Sequence, residues 1–199
     1  MKRILLALLV LAAFSASAQE FKPFKFNISL GYAKPTGPGA SGGFLFSLEP
    51  KYGLSDRIDV GLRYELALMA RAYTINGEDG SGEIKGAASY LLTGNYLLSD
   101  NNFRPFIGAG VGLFSVGSTG FQVTNGTGSA DGGLSGGNKF GGMVRAGFKA
   151  GHFALGVEYN LVPKTSGIFG NTSGSTTAYE SGNSYLGVKL GFDIGGGRN

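Results

Sequence analysis

The sequence predicts an eight-stranded antiparallel up-and-down transmembrane β-barrel. Three observations carry that expectation. Apolar residues alternate with polar or small ones at period two through eight segments. The connections between those segments alternate between short and long. Charged residues inside the segments keep to one face.

The first element is not part of the barrel. Residues 1–18 read MKRILLALLVLAAFSASA. Lys2 and Arg3 form a basic start, Ile4 to Phe14 an apolar stretch, and Ala16-Ser17-Ala18 a cleavage site. This is the pattern of a secretory signal peptide, leaving 19–199 as one barrel domain. The apolar stretch is too short to span a bilayer as a helix, and no later segment reaches about 20 apolar residues.

The strands are expected near 24–33, 43–54, 58–73, 84–98, 105–117, 138–150, 153–162 and 183–194. The third shows the pattern most clearly. Val60, Leu62, Tyr64, Leu66 and Leu68 share one face, while Gly61, Arg63, Glu65 and Arg71 share the other. Short connections fall at Ser55-Asp56-Arg57, at Ser99 to Arg104 and at Gly151-His152. Long ones fall near 34–42, 74–83, 118–137 and 163–182. These are rich in Gly, Ser, Thr and Asn, as flexible surface loops are.

The fifth strand contains FRPFIGAGVGLF, Phe103 to Phe114. A dinucleotide loop needs GxGxxG between a strand and a helix. Here Gly108, Gly110 and Gly112 stand at every second position, and the alternation runs through them. Missing side chains on one strand face make room for bulky neighbours in the interior.

Charges decide which face meets lipid. On the second, third, sixth and eighth segments stand Glu49, Lys51, Asp59, Arg63, Glu65, Arg71, Lys139, Arg145, Lys149, Lys189 and Asp193. Within each strand they share one parity, an agreement expected by chance about once in a hundred. That face is expected inside, because Lys or Arg at mid-bilayer costs about 2–4 kcal/mol. Aromatic belts are expected at both ends. Tyr32, Phe44, Phe114 and Phe140 lie toward the long loops, and Tyr52, Tyr96, Phe148, Phe153 and Phe192 toward the short turns.

The signal peptide, FRPFIGAGVGLF, the strand FALGVEYNLVP and the ending SYLGVKLGFDIGG together resemble the small outer-membrane β-barrel proteins of Gram-negative bacteria. These are the OmpA/OmpX-like and porin-family barrel domains, and the resemblance spans essentially the whole mature chain. It implies residence in the cell outer membrane, contact with its lipid and lipopolysaccharide, and insertion by the outer-membrane assembly machinery. One departure stands at the end: many such barrels finish on an aromatic residue, whereas here Asp193 to Asn199 follow Phe192.

The resemblance also reaches lipid A acyltransferases, deacylases and surface proteases. The first two need a His base near the outer rim. The one His, His152, falls in a short turn at the opposite end. No catalytic residue is therefore assigned. With no Cys and one His, no metal or cofactor site is expected. The acids Glu78, Asp79 and Glu83 read as a solvated run. Seventeen Lys and Arg against thirteen Asp and Glu form no basic stripe, which excludes nucleic acid.

Turn register predicts lumen ion pairs. If Leu54 pairs with Ile58, Glu49 faces Arg63. If Ala150 pairs with Phe153, Arg145 faces Glu158. Lys51, Glu65, Arg71, Lys149 and Lys189 are further lumen charges. Such pairs either plug the interior or re-partner as a gate. The favoured reading is a non-enzymatic barrel with a plugged lumen. Its role is structural or surface interaction through four extracellular loops, toward an unknown ligand or surface partner. Phe121, Val123, Ile168, Phe169 and Tyr179 are the candidate contact residues. The alternative is an OmpW-like or porin-like barrel translocating small molecules, and a third reading is a soluble periplasmic ligand-binding barrel. The OmpW-like reading requires an apolar upper lumen, and the register places Arg71, Lys85, Lys139 and Tyr185 there instead.

Overall fold

A computed structural model describes residues 23–36, 41–75, 78–117, 119–125, 128–134, 137–170 and 176–195. Side chains are described except at 70–75, 78–85, 119–125, 128–134, 168–170 and 176–179. The signal peptide expected at 1–18 lies outside the described residues.

The strands are β1 (Phe24–Pro35), β2 (Gly43–Gly53), β3 (Ile58–Ile75), β4 (Glu78–Leu97), β5 (Phe103–Val116), β6 (Thr119–Asn125), β7 (Gly128–Leu134), β8 (Gly137–Ala150), β9 (Phe153–Leu161), β10 (Thr165–Gly170), β11 (Thr176–Ser181) and β12 (Tyr185–Gly195). Eight of them close a ring in the order β1, β2, β3, β4, β5, β8, β9, β12. β12 returns to β1 over the register Lys25↔Gly195 to Pro35↔Tyr185. Closure removes the two free edges of the sheet, so wall strands satisfy their backbone N–H and C=O groups on neighbours rather than on water.

The turns set the register as expected. Leu54 N–H donates to Ile58 C=O at 2.8 Å, and Leu48 stands opposite Tyr64. Ala150 stands opposite Phe153. Gly151 carries φ +58 in that two-residue turn, a backbone state that side chains with a Cβ rarely adopt. The β2–β3 ladder lapses at Glu49 and Pro50, where Pro50 has no N–H to donate.

The long connections differ from the loops expected. Residues 74–83 are largely strand: β3 and β4 continue together as far as Ile75↔Glu78. Residues 118–137 contain the hairpin β6–β7, and 163–182 the hairpin β10–β11. The cause is backbone pairing: strand partners in register override Gly-rich composition. β11 adds to the upper edge of β3 through Tyr179↔Ile75 and Glu180↔Thr74. That edge is open because the β2–β3 pairing reaches only Leu45↔Ala67.

The outward parity is apolar, from Phe24, Ile28, Leu30 and Tyr32 on β1 to Leu186, Val188, Leu190, Phe192 and Ile194 on β12, all exposed. Tyr32, Phe44 and Phe140 point outward near the long-loop end. Tyr52, Tyr96, Phe148, Phe153 and Phe192 do so near the other. Phe114 is the exception to the predicted belt. It is 1% exposed and points inward, because unbroken alternation puts it on the face of Gly108, Gly110 and Gly112.

The barrel lumen as candidate functional site

The inward parity fills the barrel in three tiers. At the short-turn end, Lys25 Nζ donates to Asp59 Oδ1 at 2.6 Å. Asp193 holds two ammonium groups, Lys51 at 3.1 Å and the closer Lys149, and accepts from Asn27 Nδ2 at 2.9 Å. Neither the Lys25–Asp59 pair nor the hub at Asp193 was read from the sequence. The signal was there, since Lys25, Lys51, Asp59, Lys149 and Asp193 all share the inward parity of their strands.

The middle tier contains the four predicted pair members. Arg145 Nη2 and Nη1 clamp Glu49 Oε1 and Oε2 at 2.6 and 2.9 Å. Arg63 Nη1 donates to Glu158 Oε1 at 2.7 Å. The expected partners were Glu49 with Arg63 and Arg145 with Glu158. Arg145 and Glu158 do stand opposite each other in the wall, and the register on either side of the β2–β3 lapse sets Glu49 toward Arg63, but the side chains exchange partners across the lumen. β2 and β8 stand four places apart in the eight-strand ring, as do β3 and β9. Both bridges are therefore diameters. On a concave wall, long inward side chains converge on the axis, so the opposite wall offers better geometry than the neighbour.

Other groups tie the diameters together. Thr93 Oγ1 donates to Glu49 Oε1 at 2.6 Å, and Arg145 Nε to Asn95 Oδ1 at 2.7 Å. Arg63 Nη2 reaches Asn160 Oδ1 at 2.8 Å. Lys189 Nζ bridges Glu65 Oε2 at 2.9 Å and Glu158 Oε2 at 2.8 Å. Tyr185 donates its hydroxyl to Glu65 Oε1 at 2.7 Å. Burial this deep is tolerable only when charges are paired and their lone pairs filled.

The glycine run supplies the space. A Cβ on Gly108 would lie 3.1 Å from Arg145 Nε and 2.8 Å from Gly94 O, and would strike Asn95 Oδ1. A Cβ on Gly112 would lie 2.9 Å from Leu91 Cα.

The top tier is apolar. Ala33, Leu45, Ala67, Met69, Leu91, Phe114, Val116, Met143, Val162 and Tyr185 form one buried cluster. Among the described residues this tier is apolar, where Arg71, Lys85, Lys139 and Tyr185 were expected. Tyr185 turns its hydroxyl down to Glu65. Lys139 leans to the rim, where Nζ donates to Lys164 O at 3.1 Å. Arg71 lies at a register shift between Ala70 and Ala72, and its side chain and that of Lys85 fall outside the described residues. The cluster was legible in the sequence as Leu45, Ala67, Met69 and Leu91, which share the inward parity of their strands.

Phe121 and Val123 lie on β6, Ile168 and Phe169 on β10, and Tyr179 on β11. Their side chains fall outside the described residues. His152 sits in the β8–β9 turn, its Nδ1 2.8 Å from Asp193 O and its ring stacked on Phe192. Among the described residues no group of three His, Cys, Asp or Glu side chains is placed to hold a metal ion.

A closed ring of eight strands with an apolar outside, aromatic ends and a charged interior defines a membrane-spanning β-barrel. The family model described as outer membrane protein beta-barrel domain matches residues 4–194, and the chain belongs to that family. The outer membrane protein OprG from Pseudomonas aeruginosa is similar in structure, with TM-score 0.55, 14% identity, and coverage of 88% of this chain and 98% of that one. Neisserial surface protein A gives TM-score 0.48 and 15% identity, covering 85% and 96%. The N-terminal barrel of Pseudomonas aeruginosa OprF gives 0.47 and 11%, covering 88% and 100%. These likenesses concern the fold. No curated protein matches the chain in sequence. The family points to the outer membrane.

Proposed function

We propose that the chain is a non-enzymatic outer-membrane barrel with a plugged lumen, acting as a structural or surface-interaction protein through its extracellular hairpins. In this reading it is exported with residues 1–18 removed and inserted by the outer-membrane assembly machinery. Outer-membrane lipid and lipopolysaccharide surround its apolar band. The observation that carries the reading is the pair of diametric bridges, Arg145–Glu49 and Arg63–Glu158, under a packed apolar tier. Eight strands enclose only enough width for side chains to fill, and here two layers fill it. Planar-bilayer recordings of purified monomer should show little or no steady conductance. A stable, large conductance would remove the plug and with it the preference over transport.

The hairpin β10–β11 is the part best placed for partners, because it leaves the wall and joins β3 above it. Its base belongs to the barrel: Val162 is in the apolar cluster, and Asn183 Nδ2 donates to Thr165 Oγ1 at 2.9 Å. Replacing 168–178 with a short turn should therefore preserve the heat-modifiable mobility of the folded barrel on a gel. Surface attachment conferred by the intact protein should be lost. Attachment that survives the replacement would exclude this hairpin as the contact element.

A second reading, translocation of small apolar molecules, is favoured by the apolar tier. A cavity of about 20 Å³ lies at its outer edge beside Met69, Phe114, Val116, Val162 and Tyr185. That is room for about one water, so a ligand would have to displace the hairpin base. Uptake of an apolar solute by vesicles containing the barrel, lost on Val162→Arg, would favour this reading over the plug.

A further inference from the structure

The short-turn tier does not balance its charges. Higher up, Arg145 has Glu49, and Arg63 and Lys189 have Glu65 and Glu158. Lower down, Lys25 has Asp59. Lys51 and Lys149 have Asp193 between them. Among the described residues the tier thus carries one surplus positive charge, at side chains no more than about a tenth exposed, inside a wall that faces lipid. Such a charge is costly unless something answers it.

Both lysines line a cavity of about 50 Å³. Asn95 lines it too, as do the carboxylates Glu49, Asp59 and Glu158, each already bridged to a base. Asn95 must turn Oδ1 to Arg145, since Arg145 Nε can only donate. Its Nδ2 donors are left with no partner among the described residues. The cavity exceeds the space one water needs, about 10–15 Å³, and falls short of a polyatomic organic acid. Two ammonium groups sharing one carboxylate, with an amide donor beside them, describe a receptor for a small spherical anion.

We propose that the lower lumen binds one monovalent inorganic anion of the halide class between Lys51 and Lys149, facing the periplasm. It neutralises the surplus charge and stabilises the folded barrel by mass action.

Bromide is the probe for position. Crystals of the full chain soaked in bromide should give an anomalous peak in this cavity, between the two ammonium groups. Bromide found only elsewhere would overturn the proposal. Chloride is the probe for energetics. In urea unfolding, the folded-to-unfolded ratio should rise with chloride, approaching tenfold per tenfold chloride once the site fills. Sodium gluconate at matched concentration should not do this. Lys149→Met and Lys51→Met each remove the surplus, so each should abolish the difference between the two salts. Lys34→Met, on the outward face, should keep it. If unfolding is indifferent to chloride, Lys149 or Lys51 is neutral and no anion is held. If the chloride effect persists in both Met variants, it arises elsewhere. Should neither variant fold, the bromide peak in the unaltered chain decides.

Discussion

Arg145→Met should destabilise the barrel by about 3–5 kcal/mol. The substitution removes the guanidinium that clamps both oxygens of Glu49 and leaves that carboxylate 3% exposed. Thr93 alone cannot compensate a buried anion. Adding Glu49→Gln should recover much of the loss, because a neutral amide can stay bonded to Thr93 and carries no charge to desolvate. The double variant should thus be more stable than Arg145→Met alone. Urea unfolding in lipid vesicles, followed by tyrosine fluorescence, measures all three. If the losses add, or if Arg145→Met costs under about 1 kcal/mol, the bridge is solvated and the lumen is wetter than its geometry implies.

Leu190→Arg should cost about 2–4 kcal/mol. Leu190 lies at the middle of β12, between Leu30 on β1 and Leu155 on β9. It is 59% exposed, which in this family means exposed to lipid. Leu190→Gln is the control, since it removes the same apolar contact without adding charge. Equal stability of the Arg and Gln variants in bilayers would reverse the facing of the whole strand, and through the ladder that of its neighbours. The two substitutions make opposite statements about charge. Inside the wall, removing a charge destabilises; outside it, adding one does.

The tiers also recast the choice between structural and transport roles. A lumen charged throughout would have argued against apolar cargo. The apolar cluster around Leu45, Met69 and Phe114 withdraws that argument, while the diameters beneath it still oppose an open channel. Cargo entering from above would meet Arg145–Glu49 and Arg63–Glu158, so passage straight to the periplasm requires breaking both.

Much of this protein was determined by its sequence alone. Period-two alternation defined eight wall strands, because successive side chains must point to opposite faces. Parity of the charges defined inside and outside, because lipid rejects ammonium and guanidinium groups. The turns at Leu54–Ile58 and Gly151–His152 defined register, and so placed Glu49 beside Arg63 and Arg145 beside Glu158. Tertiary structure alone decided who pairs with whom. Register reports neighbours along the wall, whereas ring closure sets β2 against β8 and β3 against β9. Convergence toward the axis then makes the far partner the nearer one. The same holds for β11 on β3: its composition reads as loop, and it becomes strand because β2 ends early and leaves an open edge for it to pair with.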